Sequence, residues 1–229
     1  MKILAVNTSE ASAGVALVED GVPVCEEFFS AGVTHSRVLM DMVHQMLTVR
    51  ASIPVAEIDG LVAARGPGSF TGLRIGISVV KGIALAASKP VAGISSLDAI
   101  AWQMSSSQRS VCAMMDAQRG EVYTACYRFS GGNMIHKTGE VCVTPERAVA
   151  LAGESALFVG SGALAYQGQI ESIARGDIGF APGFQNQVRA SALAHAFFQS
   201  QESLSNDPLS LLPVYLRRSD AEINFQNGK

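Results

Sequence analysis

The chain has 229 residues, of which 48% are hydrophobic and 16% are charged, and its formal net charge is −3 at pH 7. This balance predicts a water-soluble protein with one large domain or two small lobes, and it argues against a basic surface that binds nucleic acid directly. The longest apolar run near the N-terminus covers only residues 3–6, which is too short for a signal peptide or a membrane span, so we expect a cytoplasmic protein.

The first thirty residues predict three strands joined by short turns. Their ranges are 2–7, 13–18 and 22–29. A strand, a hydroxyl-rich turn and two more strands resemble the opening of the actin-like ATPase fold, in which an aspartate ends the first strand and the turn holds phosphates. Here the aspartate position is Asn7, which is neutral and cannot organise Mg²⁺. Thr8 and Ser9 follow it, and such residues more often only close a turn.

A helix is predicted over about residues 35–50, with Thr34 or Ser36 as its cap. Its polar residues form one narrow stripe, and apolar residues, three of them methionine, cover a wider arc than a surface helix needs. We therefore predict that part of this arc binds a second protein molecule, although the pattern does not tell which residues face the lobe's own sheet. The candidates are His35, Ser36, Leu39, Met42, Val43 and Met46.

Residues 59–87 hold the most distinctive stretch, a short buried strand, the sequence RGPGSFTGLRIG at 65–76, and a helix over 71–87. A strand that turns into a helix through Gly-Pro-Gly is an α/β construction and resembles a phosphate-binding loop. It matches neither the P-loop nor the G-x-G-x-x-G spacing.

The helix after this loop carries one polar stripe and is otherwise apolar or small. Glycine inside a helix costs roughly 1 kcal/mol relative to alanine, so three helical glycines, Gly72, Gly76 and Gly82, predict close approach of another backbone. That backbone belongs either to the lobe's own sheet or to a partner. Further candidates for the partner surface are Ser69, Phe70, Leu73, Arg74 and Ile77.

The second half begins after residues 105–108 (SSSQ), the expected boundary between an N-terminal lobe, 1–106, and a reduced C-terminal lobe, 107–218, with a frayed tail at 219–229. Strands at 111–116 and 121–129 form a hairpin across AQRG. Asp116 and Arg119 lie at its turn, and Arg119 is expected to pair with Glu121 or with a partner. Cysteines at four scattered positions predict buried thiols in a reducing compartment and no metal site.

Five motifs carry a resemblance that spans nearly the whole chain. They are Asn7-Thr8-Ser9, Thr34-His35-Ser36, the 65–76 stretch, 116–123 (DAQRGEVY) and 213–217 (PVYLR). With them the chain is similar to the TsaB (YeaZ) family of bacterial tRNA threonylcarbamoyladenosine biosynthesis proteins. The resemblance implies an α/β chain with the actin-like, RNase-H-like (ASKHA) two-lobe fold, in which helices flank mixed β-sheets.

The same resemblance implies a partner subunit that is not an enzyme by itself. It is expected to form a heterodimer with the homologous catalytic subunit TsaD and to work with the ATPase TsaE. Together they modify the adenosine that follows the anticodon in tRNAs reading codons that begin with adenosine. tRNA would then be bound only through the complex, and the chain would form a homodimer when alone. It would have no metal or cofactor of its own, with ADP or ATP only at the complex interface.

Two other classes of function stay open at this point. One is an ATPase or phosphotransferase of the actin-like superfamily, which the degenerate nucleotide-loop positions Asn7, Thr8, Ser9, Asp116 and Arg119 argue against. The other is a glycopeptidase-like hydrolase, for which four scattered histidines provide neither a Ser-His-Asp triad nor a His-Glu-x-x-His motif.

Overall fold

The computed structural model describes residues 1–30 and 35–217, and in this range the chain forms two mixed β-sheets with helices between and outside them. The predicted cap Thr34 and the predicted tail at 219–229 lie outside the described residues, as does the side chain of His35. The elements of the first sheet and its helices are β1 (Lys2–Asn7), β2 (Ala13–Glu19), β3 (Val22–Phe29), α1 (His35–Gln45, continued by a π-helical turn, Met46–Arg50), β4 (Gly60–Gly66), α2 (Phe70–Ala87), β5 (Val91–Ser95) and α3 (Ser96–Trp102).

The first sheet has the strand order β3-β2-β1-β4-β5. The strands β1, β2 and β3 are antiparallel neighbours, whereas β4 and β5 continue the sheet in parallel with β1. The predicted hairpin between β2 and β3 is confirmed, and Asp20 and Gly21 at its turn have positive φ angles of 49° and 81°. Both faces are buried, because Ile3 and Ala5 point to one core while Leu4 and Val6 point to another, as the alternation of a strand requires.

The second sheet has the strand order β11-β10-β6-β7-β8, and β9 pairs with β7. Its elements are β6 (Ser110–Gln118), β7 (Glu121–Ser130), β8 (Asn133–Lys137), β9 (Val141–Val143), α4 (Pro145–Ala152), β10 (Ser155–Val159), α5 (Ser161–Ala165), α6 (Gln167–Ile173), β11 (Asp177–Phe180) and α7 (Ala190–Gln199). Thr138 lies between β8 and β9, where it forms hydrogen bonds with the backbone of Cys126 on β7.

The helices α3 and α7 lie between the two sheets and share one apolar core with both of them. The helices α1 and α2 pack on the other face of the first sheet, and α4, α5 and α6 pack on the outer face of the second. This is the predicted two-lobe arrangement of mixed sheets flanked by helices.

The chain returns to the first lobe near its C-terminus, which the sequence division into 1–106 and 107–218 does not express. The helix α7 packs against the strands of the first sheet. After it, Ser205 bridges to Val91 at the edge of that sheet, and Leu211 is buried in the core that α1 and α2 share. The segment after residue 187 therefore packs closely on the first lobe, and Arg217 in it also contacts the second.

Candidate functional site

The glycine-rich loop between β4 and α2 packs against two other stretches of backbone. The Ser69 amide donates a hydrogen bond to the Ser9 carbonyl oxygen at 2.7 Å. Gly68 has a φ angle of 155°, and a Cβ there would collide with the same carbonyl. Gly66, with a φ angle of 118°, would in the same way collide with the carbonyl oxygen of Val214. These glycines thus allow close approach of the chain's own backbone, and the loop is filled by protein where a phosphate cradle would be open.

The three residues at the end of β1 are buried and hydrogen-bonded within the chain. Asn7 accepts hydrogen bonds from the amide and the hydroxyl of Ser9 at 3.0 and 2.7 Å, and its own amide donates to the Val188 carbonyl at 2.8 Å. Thr8 donates to the carbonyl of Gly72 at 2.7 Å and lies directly against Gly76. Their side chains therefore hold the first turn to α2 and to the segment before α7, as parts of the fold.

The second turn of the nucleotide-binding type, at the β6–β7 hairpin, is occupied in a similar way. Both carboxylate oxygens of Asp116 accept hydrogen bonds from Gln118, at 2.8 and 2.7 Å. Gln118 and Arg119 have φ angles of 61° and 59°, so non-glycine residues form this tight turn. The pairing of Arg119 and Glu121 with each other or with a partner protein stays a prediction. The Glu121 carboxylate forms an ion pair with Arg217 at 3.0 Å.

A cleft of about 680 Å³ lies between the two lobes, where the two turns face each other. Its walls include Ser12, Asp116, Tyr123, Ser161, Tyr215 and Arg217. Among the described residues that line the cleft, Arg217 is the one cation, and it forms an ion pair with Glu121. This described part of the walls therefore offers little positive charge for a triphosphate. Among the described residues, no group of three or more His, Cys, Asp or Glu side chains could hold a metal ion.

Glu10 connects the two sides of this cleft. Its carboxylate accepts a hydrogen bond from the Ser161 hydroxyl at 2.5 Å and another from the Val188 amide at 3.2 Å. Burial raises the pKa of Glu10, and these two hydrogen bonds oppose the shift. The acid is thus a structural tie between the first lobe and the start of α5 in the second.

The predicted partner surface on α1 is wrong for its apolar members. Leu39, Met42, Val43 and Met46 are all buried, with exposures between 0% and 5%, in the core of the first lobe. The wide arc is covered from within the chain because β2 and α2 pack against α1 on adjacent sides. Ser36, Met40 and Val49 remain on its surface.

The predicted surface on α2 is divided. Leu73 and Ile77 are buried, whereas Ser69, Phe70 and Arg74 are exposed. Ser69 also caps the helix by accepting a hydrogen bond from the Gly72 amide at 3.2 Å. The Phe70 ring stacks on Tyr215 with 4.8 Å between centroids, a neighbour that sequence reasoning missed.

Beyond Arg74, the exposed face of α2 carries mostly small residues. By length and composition α2 could cross a membrane, but one of its faces packs on β4. A third of the helix is buried, and the rest is left on the surface of the chain. Ser78, Gly82, Leu85 and Ala86 are exposed, and nothing lies within 4 Å of the Cβ that Gly82 lacks. Of the three helical glycines, Gly76 thus contacts the chain itself, and Gly82 faces open space.

Comparisons with known proteins agree with this architecture. The family described as "TsaD: tRNA N6-adenosine threonylcarbamoyltransferase" matches residues 30–225. The tRNA threonylcarbamoyladenosine biosynthesis protein TsaB of Bacillus subtilis is 31% identical over 98% of both chains. The structure of YeaZ from Pseudomonas aeruginosa is 30% identical, covers 94% of this chain and 99% of its own, and superposes with a TM-score of 0.77. The ethanolamine utilization protein EutJ of Carboxydothermus hydrogenoformans, at 10% identity and a TM-score of 0.51 over 86% and 90% of the chains, shares the fold alone.

Proposed function

The chain belongs to the TsaB (YeaZ) family of tRNA threonylcarbamoyladenosine biosynthesis proteins, and on that premise we propose that it acts as the non-catalytic partner of TsaD. It forms a heterodimer with that subunit, works with the ATPase TsaE, and reaches tRNA only through the complex. It acts in the cytoplasm, and any ADP or ATP is bound at the interface of the complex. Alone, it forms a homodimer through the same surface.

The observation that carries this proposal is the exposed stripe Ser78–Gly82–Ala86 on α2. Side chains four residues apart lie above one another on a helix, so these three form one shallow groove. Leu85, which is 62% exposed, gives this groove an apolar rim. An unfavourable helical glycine without an internal neighbour, in an apolar helix that is only a third buried, supports the binding of another helix there.

The side chains at the former nucleotide site support the absence of catalysis. An ATPase of this fold would need an acidic group for Mg²⁺ and room for phosphates, whereas Asn7 is hydrogen-bonded to Val188 and Ser9. The loop that would approach the phosphates packs on the Ser9 carbonyl. These contacts weigh against the alternative of an actin-like ATPase, and no observation favours the hydrolase.

The test is binding of TsaD by a variant with a charge on the stripe. Leu85→Glu places a carboxylate in the apolar groove and should weaken the complex by at least about thirtyfold, because truncating an interface anchor costs about 2 kcal/mol or more. Ile135→Glu is the matched control, since Ile135 is 60% exposed on β8 of the other lobe. Affinity is measured by calorimetry, and tRNA modification is measured in the reconstituted system.

Two results would contradict the proposal. If Leu85→Glu folds normally and binds TsaD as tightly as Ile135→Glu does, the groove is not the interface. If the isolated protein hydrolyses Mg-ATP above about 1 s⁻¹, near the low end of enzyme turnover, it is not a passive subunit.

A further inference from the structure

Residues 211–217 form a strap that connects the two lobes across the opening of the cleft. The strap begins with Leu211, which is 5% exposed in the core of the first lobe. Its middle is tied to the end of β4, where the Val214 amide donates to the Arg65 carbonyl at 2.6 Å. It ends at Arg217, whose guanidinium reaches the β6–β7 hairpin of the second lobe.

The middle of the strap lies on the first turn of α2. Tyr215 stacks on Phe70, and its hydroxyl accepts a hydrogen bond from Arg74 at 3.0 Å. The Arg74 guanidinium also covers the Phe70 ring at 3.9 Å from the centroid. Three side chains from two segments thus form one stacked cluster, yet Phe70 and Tyr215 remain 36% and 38% exposed. A partner that approaches this end of α2 therefore meets the strap.

The two ends of the strap differ in strength. Leu211 is held by apolar packing, whereas Arg217 is held by the Glu121 carboxylate at 3.0 Å and the Gln118 carbonyl at 3.4 Å. The side chains of this ion pair are 21% and 37% exposed, so solvent screens the pair in part and it contributes less than the apolar packing of Leu211. The second-lobe end can therefore detach while the first-lobe end stays in place.

The position of this weak end matters because the other side of the cleft is held differently. There the lobes share a continuous apolar core around α3 and α7. At the opening, polar contacts join them, namely Glu10 with Ser161 and Arg217 with Glu121. Tyr215 and Arg217 also line the cleft, so release of the strap changes its wall directly.

We propose that the strap is a latch that holds the β6–β7 hairpin over the cleft, and that a partner bound on α2 controls the latch through Phe70 and Arg74. The second half of this statement depends on the proposed interface, because Arg74 lies one helical turn before Ser78 of the groove. Binding there changes the contacts of Tyr215, and Tyr215 positions Arg217 two residues later.

Hydrogen exchange of full-length protein tests the latch without a partner. Arg217→Ala should speed exchange in the segment 116–123 by roughly two- to fivefold, the range expected for loss of an exposed ion pair. The double variant with the two charges swapped, Arg217→Glu with Glu121→Arg, should restore the wild-type rate of hydrogen exchange. Arg128→Ala, a loss of the same charge from an exposed site farther along β7, is the control and should change nothing in that segment.

The latch is refuted if Arg217→Ala leaves the segment unchanged, or if Arg128→Ala speeds it equally. A second experiment repeats the hydrogen-exchange measurement in the presence of TsaD. Bound TsaD should change exchange of 116–123 in the wild type and much less in Arg217→Ala. An intact complex without this change overturns the coupling alone, whereas failure to form any complex overturns the proposed interface and leaves the isolated-protein result standing.

Discussion

At the scale of single residues, Asn7 shows how hydrogen bonds hold the first turn in place. Its amide donates to the carbonyl of Val188, 181 residues away, while its carbonyl oxygen organises Ser9. A carboxylate could do the second task but not the first. The asparagine therefore suits this position, because its amide group donates through nitrogen and accepts through oxygen, whereas an ionised carboxylate only accepts.

This role predicts the outcome of restoring the aspartate. Asn7→Asp should destabilise the protein by about 1–3 kcal/mol, because the Val188 carbonyl loses its donor and faces a buried acid. It should not create Mg-ATP hydrolysis. Denaturant unfolding and an ATPase assay check the two halves, with Asn133→Asp, at an exposed turn, as the control. A stable and ATP-hydrolysing Asn7→Asp protein would show that the site is dormant.

Glu10 predicts a dependence of stability on pH. Its folded-state pKa is raised by burial, so the native state holds its proton more tightly than the unfolded state does. The contribution of Glu10 to stability is therefore full below the ordinary value of 4.5 and is lost as pH rises from there through the folded-state pKa. In Glu10→Gln this fall should be absent. Denaturation midpoints of both proteins from pH 4 to pH 8 give the comparison, and parallel curves would contradict the prediction.

At the scale of elements, the sequence predicted which segments are helical more reliably than which faces of those helices are buried. The periodicity of α1 revealed a wide apolar arc, but periodicity carries no information about how many neighbours pack on it. β2 and α2 cover that arc from two sides, so the residues expected at an interface are core residues. In α2 the glycines were informative, although only the structure separates Gly76, against Thr8, from Gly82, in open space.

The burial of Met42 changes the expected effect of a charge on α1. Met42 is 4% exposed, so Met42→Glu buries a carboxylate without a partner and should unfold the first lobe. Met40 lies two residues before Met42 and is 51% exposed, so Met40→Glu should leave the melting temperature nearly unchanged. Circular dichroism melting curves of the two variants separate these outcomes. Equal melting temperatures would mean that Met42 lies on the surface after all.

Several parts of the site could not be predicted from local sequence. The pairing of Arg217 with Glu121 joins residues that are 96 positions apart, and the stack of Tyr215 on Phe70 depends on the path of the strap. Sequence reasoning identified residues 213–217 as a motif of the family but had no physical signal for their location. The elements α5, α6 and β11 were also missed, because short segments give too few turns or alternations for a periodic pattern.

At the scale of the whole molecule, the exposed groove of α2 predicts self-association when TsaD is absent. Wild-type protein should sediment as a dimer at micromolar concentration, because an apolar groove is poorly tolerated in water. Leu85→Glu should sediment as a monomer, and Ile135→Glu should remain dimeric. A monomeric wild type would show that the groove is specific for a different partner.

The return of the chain to the first lobe after residue 187 has a consequence for how the protein is made. Ile3 and Ala5 on β1 share a core with α7, and the ribosome makes α7 long after it makes β1. The N-terminal half leaves the ribosome before α7 has been synthesised. During this interval the face of the first sheet that α7 later covers is open to chaperones or to aggregation. Contacts between such distant parts of the sequence also slow refolding. The core around β1 thus forms only after α7 has left the ribosome.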